Sequence, residues 1–599
     1  MTSILDFRRA LLPLATVMTL GACASSGTTK IGGVSVSRAT AAVADPSRQL
    51  ASLPRADSAW RAGAYPLATS LYEAIVAPDS SSHIAVYRLA TLRSWDSRLD
   101  ESITLFRRYV TLEPRYTEAR LSLARVLGWS GRYSDAIAIY DSVITSEPAN
   151  RDAVLGRAQT LAWAGRFSEA LAAYKQWTIA HPSDRDASVD YARALSWSGQ
   201  LDDAESMYAQ LAKTGNANAT KGLARVIGWR GDYQRSEHTW RQVLITDPRD
   251  PEALTGLAQV LSWQGRQADA ESSLQAALRV NPAYGDARAL LRWVQADLRP
   301  SVTMAGISGN DSDHNRSTSL LFDYIVRAPW NGTVGTRYTK KWANFAATDS
   351  RADAVNVFSR WQPAATSWQV QVDAGVTRHS STLLPTPARP QTIANGALRA
   401  SGNLGRSLAI TVGASRAPFD ETALLIASGV VSSEMAGEAE IALPARFSMS
   451  GAASHARLTG GARENSRNAF SSTLRWAHNR RWSLAVGARQ FGYDTTSSDG
   501  YFAPKRYTLA EGSGRGRLGG DLGWNADGEL GLGRQSIEFF GSSAGSRLAE
   551  RVALTAGYRF DPAHEFSASG GWANVAAPGQ TGGSEYRAYT FSLRARVGF

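Results

Sequence analysis

Tryptophan returns on a fixed beat through the first half of the 599-residue chain: Trp95, Trp129, Trp163, Trp197, Trp229 and Trp263 stand 34, 34, 34, 32 and 34 residues apart. Pro114, Pro148, Pro182, Pro248 and Pro282 keep that beat, and so do Gly131, Gly165, Gly199, Gly231 and Gly265. A proline does not continue a helix and a glycine tolerates the turn that ends one, so each period holds two helices and two stops. After the glycine come a large side chain (Tyr133, Phe167, Leu201, Tyr233), a small one (Ala136, Ala170, Ala204, Ala270) and another large one (Tyr140, Tyr174, Tyr208, Trp240). These share one helical face. A single helical hairpin cannot bury such a face alone, so it has to stack on its neighbours.

A helix-turn-helix period of 34 residues is that of the tetratricopeptide repeats. The pattern predicts an α-solenoid over residues 54–299, of about seven repeats when the weaker copy through Gly63, Tyr65 and Tyr72 is included. The copy around Asn216 to Ala219 is short and lacks its proline, which marks an irregular junction. Resemblance to the tetratricopeptide family implies a groove lined one and five places after the small packing residue of each first helix. With Ala124 in that slot, the groove receives Arg125 and Trp129. The matching slots hold Gln159 with Trp163, Arg193 with Trp197, Arg225 with Trp229 and Gln259 with Trp263, and Trp95 opens the row. Flat indoles beside hydrogen-bond donors suit a sugar polymer, whose rings have an apolar C–H face and a hydroxyl rim. The same indoles can instead fill space against the next repeat. Grooves of this family also take peptides, so a protein-binding scaffold is the alternative function.

After Pro300 the period changes to two. In "RWSLAVGAR" (481–489), Trp482, Leu484, Val486 and Ala488 share one face and Arg481, Ser483, Ala485, Gly487 and Arg489 the other. "RVALTAGYRF" (551–560) alternates in the same way. Strands of bilayer-crossing length, separated by short turns such as "APWN", "ALPAR" and "FDPAHE", predict an antiparallel transmembrane β-barrel over residues 300–599. About 16 strands fit, with 14 the nearest alternative, and a soluble β-sandwich is the other way to bury such strands. The chain ends on the alternating strand "YTFSLRARVGF", and a terminal phenylalanine there resembles the signal read by the bacterial outer-membrane assembly machinery. If the apolar faces meet lipid, Arg475, Arg489, Arg559, Arg594 and Arg596 face the lumen, with Glu438, Glu440, Asp521 and Glu529 as acidic counterparts.

At the other end, Arg8 and Arg9 precede the apolar "ALLPLATVMTL", too short to span a bilayer, so residues 1–22 read as a signal peptide of lipoprotein type. The single cysteine, Cys23 in "LGAC", matches the bacterial lipobox and is the expected lipidation site, although an ordinary cleavage site also fits. Ala24 after it favours outer-membrane sorting, and residues 23–53 are expected to form a flexible tether.

The net charge of +12 comes from arginine, only seven of the 65 basic residues being lysine. Guanidinium forks suit carboxylate and phosphate partners, but base composition alone can enrich arginine. No nucleic-acid module is present, and nucleic acid is not an expected partner. The eight histidines are scattered, no pair has metal-ligand spacing, and no phosphate loop with its lysine occurs, so neither enzyme nor cofactor is expected.

Exported tetratricopeptide repeats followed by a barrel resemble the bacterial exopolysaccharide exporters: the cellulose synthase operon protein C type, the poly-N-acetylglucosamine porin type and the YaiO-like barrels. "DGYFAPKRYTLAEG" (499–512) is similar to the "GYFSPxxY" signature of the cellulose-exporter barrels, with Ala503 in place of serine. The resemblance implies an outer-membrane exporter whose periplasmic repeats receive polysaccharide from, or dock, an inner-membrane synthase complex. It leaves the polymer open.

Overall fold

The computed structural model describes residues 46–77, 82–328, 330–363, 366–382, 391–405, 407–479, 481–542, 545–575 and 586–599, with side chains from residue 53 onward. The signal peptide, Cys23 and most of the expected tether lie outside the described residues. Helix α1 begins at Pro46, so the end of the segment read as tether is helical. By internal contacts the chain divides into two compact units, one ending at Arg230 and one comprising Gly231–Phe599.

The first unit is a run of helices: α1 (Pro46–Arg61), α2 (Tyr65–Val76), α3 (His83–Trp95), α4 (Leu99–Leu112), α5 (Thr117–Trp129), α6 (Tyr133–Ser146), α7 (Arg151–Trp163), α8 (Phe167–Ala180), α9 (Arg185–Trp197), α10 (Leu201–Ala212) and α11 (Ala217–Trp229). The repeated glycines do the turning. Gly131, Gly165 and Gly199 have φ of 79°, 77° and 86°, a left-handed region that costs any residue with a Cβ. In the second hairpin the same place is taken by Ser97 at φ 60°. First helices are started by a second repeated device: Asn150, Asp184 and Asn216 each accept a hydrogen bond from the amide three residues on.

Between hairpins, a large ring drops into a gap left by glycine. A Cβ on Gly156 would stand 2.7 Å from the Tyr140 ring, and one on Gly222 would clash with Tyr208. Both rings are almost wholly buried, and that burial pushes the Tyr140 and Tyr208 phenols up to about 12, so both stay neutral.

The second unit opens with α12 (Tyr233–Thr246), α13 (Pro251–Trp263), α14 (Gln267–Val280) and α15 (Gly285–Leu298), which keep the same devices: Gly231 and Gly265 turn at φ 84° and 76°, Asp250 caps α13, and Trp240 fills the gap at Gly256. Sixteen strands follow: β1 (Ser301–Asp311), β2 (Arg316–Ala328), β3 (Gly332–Phe345), β4 (Thr348–Trp361), β5 (Gln369–Ser381), β6 (Gln391–Leu404), β7 (Leu408–Pro418) and β8 (Val431–Ala442). Then come β9 (Phe447–Thr459), β10 (Asn465–Ala477), β11 (Trp482–Tyr493), β12 (Arg506–Gly519), β13 (Gly523–Glu538), β14 (Gly545–Asp561), β15 (His564–Ala573) and β16 (Ala588–Gly598). Each pairs antiparallel with its neighbours in sequence, and β1 pairs with β16, so the sheet closes without an edge. The strand count is the 16 expected from the alternation, not 14.

Register assigns the two faces. Leu320, Phe322, Val355, Val357, Phe470, Leu474, Leu484, Val486, Leu530, Leu532, Leu554 and Leu593 lie on one face and are all exposed. An apolar surface running round a whole barrel is far larger than water tolerates on a monomer. Trp330, Trp361, Trp482 and Trp524 add exposed indoles beside the turns at one end, the position of an interfacial aromatic belt. Among the described residues no helix is long and apolar enough to cross a membrane.

Candidate functional site

The barrel has two ends that differ in construction. At the near end α15 runs into β1 and the even-numbered strands finish. At the far end lie the odd-to-even turns, including a short helix α16 (Ala423–Ser428) between β7 and β8.

The inner wall is polar and carries cross-strand ion pairs. Arg337 meets Asp323 at 2.8 Å, Arg551 lies between Glu511 (2.9 Å) and Glu529 (2.7 Å), and Arg515 and Arg517 share Asp527, both at 3.1 Å. Asp323 faces Arg337 and Asp527 faces Arg517 in register, Arg515–Asp527 and Arg551–Glu529 run diagonally between neighbouring strands, and Arg551 reaches Glu511 across β13, so each guanidinium is held near the wall. Arg475, Arg489, Arg559, Arg594 and Arg596 occupy this same face. Arg559 pairs with Glu565 at 2.5 Å, and Arg489 lies over the Tyr507 ring at 5.8 Å. Among the described residues Arg475, Arg594 and Arg596 form no ion pair. Glu438, Glu440 and Glu529 share the inner face, whereas Asp521 sits in the turn between β12 and β13, where its carbonyl accepts from Arg559.

The far end is partly filled. The segment carrying α16 reaches from β7 and β8 to β3 and β4, where Lys341 of β3 pairs with Asp420 at 2.9 Å and the Ser350 hydroxyl of β4 donates to the Ala423 carbonyl at 2.8 Å. Thr422 caps α16, and Gly429 ends it at φ 69°. Leu425 and Val430 of this segment join Tyr501 and Phe502 of the β11–β12 loop and the inward side chains Leu458, Phe491, Tyr507 and Leu509 in one buried apolar cluster. Tyr501 stands edge-on to Phe419 at 5.5 Å and receives a hydrogen bond from Asn465 at 3.1 Å. The fully buried Gln535 accepts from the Tyr507 hydroxyl at 3.0 Å and donates to the Asn574 carbonyl at 2.7 Å. The GYFAP stretch is therefore part of a plug at the far mouth. The sequence offered an aromatic cluster but nothing to say that α16 would meet it.

At the near end the last helices seat on the rim. The Asn331 amide donates to the Gln264 carbonyl (3.2 Å), Arg327 donates to the Asp297 carbonyl (3.2 Å), and Arg559 lies over the Trp293 ring at 5.7 Å. Burial raises the Asp297 carboxyl above the usual aspartate range, opposed by Arg327 and Arg596.

The indole row is not uniform. Trp129 and Trp95 are exposed, and Trp95 stacks on Trp60 at 5.1 Å with Tyr65 edge-on at 5.2 Å. Trp163 is half-buried over Gly128, where a Cβ would approach its ring to 3.1 Å. Trp197 packs on a cluster containing Leu161 and Ala162, and Trp229 on one containing Val189 and Leu195. Trp263 tilts against Tyr233 at 5.7 Å. Of the polar partners, Arg125 is within 4.0 Å of Asp152 and Arg193 pairs with Asp190 at 2.9 Å, while Gln159, Arg225 and Gln259 are half-buried beside their indoles in sequence. Among the described residues no group of histidine, cysteine, aspartate or glutamate side chains could hold a metal ion.

Fold and wall define a class: a closed outer-membrane type of β-barrel preceded by tetratricopeptide repeats. Tetratricopeptide-repeat family models match residues 129–186 and 164–225, and a second such model matches 230–288. No curated protein matches the chain in sequence. Among solved structures, a tetratricopeptide repeat protein from Parabacteroides merdae aligns at 12% identity and TM-score 0.37, over 42% of this chain and 99% of that one. A bacterial polysaccharide outer membrane secretin aligns at 9% identity and TM-score 0.39, over 50% and 99%. PilW, a type IV pilus biogenesis factor, aligns at 21% identity and TM-score 0.30, over 36% and 100%.

Proposed function

We propose that this protein is a passive outer-membrane component for export of a secreted polysaccharide, with its repeats in the periplasm and its barrel as the conduit. The observation that carries this reading is the closed strand wall, apolar outside and polar within, whose near mouth is physically continuous with the last repeat helices. On this reading residues 1–22 direct export, Cys23 is lipidated, 23–53 tether the chain, 54–299 guide polymer or dock a synthase complex, and 300–599 form the pore. Arg125 with Trp129 and the exposed Trp95 are then the best-placed repeat residues for a sugar.

One observation favours the scaffold alternative, in which the repeats hold protein partners and the barrel is an anchor: Trp163, Trp197 and Trp229 are engaged in packing between or within repeats. Deleting the gene and measuring polymer at the cell surface separates the two. Export predicts that surface polymer falls and returns with the full chain but not with the barrel bearing a closed near mouth. A scaffold predicts unchanged polymer and loss of a protein complex.

A further inference from the structure

Six even-numbered strands reach the near mouth with an inward arginine within a few residues of their ends: Arg327, Arg360, Arg475, Arg517, Arg559 and Arg596. The other two even strands, β6 and β8, bring Asn403 and Glu440 to that level. Three of the six, Arg327, Arg559 and Arg596, also face α15 through Asp297 and Trp293. Of the other three, Arg517 is held by Asp527 at 3.1 Å and Arg360 donates to the Gln371 side chain at 3.4 Å, which leaves Arg475 without a charged partner among the described residues. Arg475 is flanked on its neighbouring strands by Ser448 and Ala485, and Arg594, just above the collar, by Ser567 and Ala305. Arg475 is half-buried and Arg594 exposed among these small neighbours, and neither has a carboxylate partner among the described residues. The carboxylate in register with Arg596, Glu565, is paired with Arg559.

We infer that this collar selects an anionic polymer, so that the exported glycan carries carboxylate groups and not only neutral hydroxyls. The inference rests on the export reading above and names its substrate class. Guanidinium groups set round a low-dielectric opening focus a positive potential into it and offer paired donors to each carboxylate that passes. Glu438 and Glu440 of β8 stand halfway round the barrel from β16, so the field also runs across the mouth and draws an anion toward the β14–β16 wall. Arginines already paired, Arg517 and Arg559 within the collar and Arg551 higher in the lumen, are held by their carboxylates, so the attraction centres on Arg475, Arg594 and Arg596.

The test uses the full-length protein in detergent and in planar bilayers, with oligogalacturonate, cello-oligosaccharide and chitosan oligomers as anionic, neutral and cationic probes. Oligogalacturonate is expected to bind tightly at low salt and weaken as salt rises, and any open channel is expected to be anion-selective under a potassium chloride gradient. Arg475→Glu with Arg594→Glu, checked for a folded barrel by its heat-modifiable migration in SDS gels, is expected to weaken oligogalacturonate binding at least about tenfold and shift the reversal potential toward cations. Equal or better binding of the neutral or cationic oligomer, unchanged by the double variant, overturns the anionic inference while leaving export standing. Failure of all three oligomers to bind, together with unchanged surface polymer on gene deletion, overturns the export reading itself.

Discussion

Ser97 holds a left-handed conformation that six other repeats give to glycine. A side chain there costs about 1–2 kcal/mol, partly recovered by the lower entropy of the unfolded chain, so Ser97→Gly is expected to stabilise the repeats by about 1 kcal/mol. Thermal unfolding followed by helical circular dichroism measures it. The reverse error of size is expected at Gly222, where even a methyl group meets the Tyr208 ring, so Gly222→Ala is expected to cost about 1–3 kcal/mol. Trp163→Ala and Trp129→Ala should separate the two roles an indole can have here. The first removes a ring seated over Gly128 and is expected to destabilise by about 2–3 kcal/mol, whereas the second removes an exposed ring and is expected to cost under about 1 kcal/mol. Protease susceptibility of the repeats in the intact protein reads both. The sequence announced the tryptophans by their spacing, but equal spacing gave unequal burial because the residue under each ring differs: glycine for Trp163, leucine and alanine for Trp197, another indole for Trp95.

Helix α9 is tied to its surroundings by one carboxylate. Asp184 caps the helix through the Ala187 amide, takes both ends of the Arg151 fork at 2.8 and 2.9 Å, and accepts from the Trp177 indole at 3.0 Å. The Arg151 hydrogen bonds, then those from Trp177 and the helix start, hold its carboxyl well below the usual aspartate range. A carboxyl depressed in the folded state contributes stability above its unfolded pKa and loses it as pH falls through the folded one. The repeats are therefore expected to weaken below about pH 4, and Asp184→Asn, which cannot ionise, is expected to remove much of that acid sensitivity. Thermal midpoints of both forms from pH 7 to 3 decide this. The α16 segment is the second element whose behaviour follows from its ties. Removing residues 420–429 takes away Lys341's carboxylate partner and the apolar cover over Tyr501 and Phe502, so larger single-channel conductance with an unchanged heat-modifiable gel shift is the expected result. Helices, turns and strands were legible because each has its own period. The plug was not, because its members are spread over separate strands and loops and share no local pattern.

At the scale of the molecule, a closed barrel and a stack of helical hairpins answer one problem in two ways. Each removes unpaired edges, the barrel by joining β1 to β16 and the hairpins by stacking copy on copy. A barrel closed by strand hydrogen bonds in an apolar medium resists heat and detergent far better than helices packed through side chains. Full-length protein in detergent is thus expected to lose helical signal well before the barrel becomes heat-denatured on gels. A single transition in both signals would contradict the division of the chain into unlike halves.

The amino-acid sequence on its own determined the two architectures and the strand count. Both follow from short-range periodicity, 34 residues for a helical hairpin and two for a strand, and periodicity survives without knowledge of partners in space. Tertiary structure alone decided which indoles are free, which lumen arginines are paired, and that the far mouth is partly filled while the near mouth carries a basic collar. Those properties depend on what a side chain meets across the barrel or on the next hairpin, and residues separated by dozens of positions become neighbours only when the sheet closes and the hairpins stack.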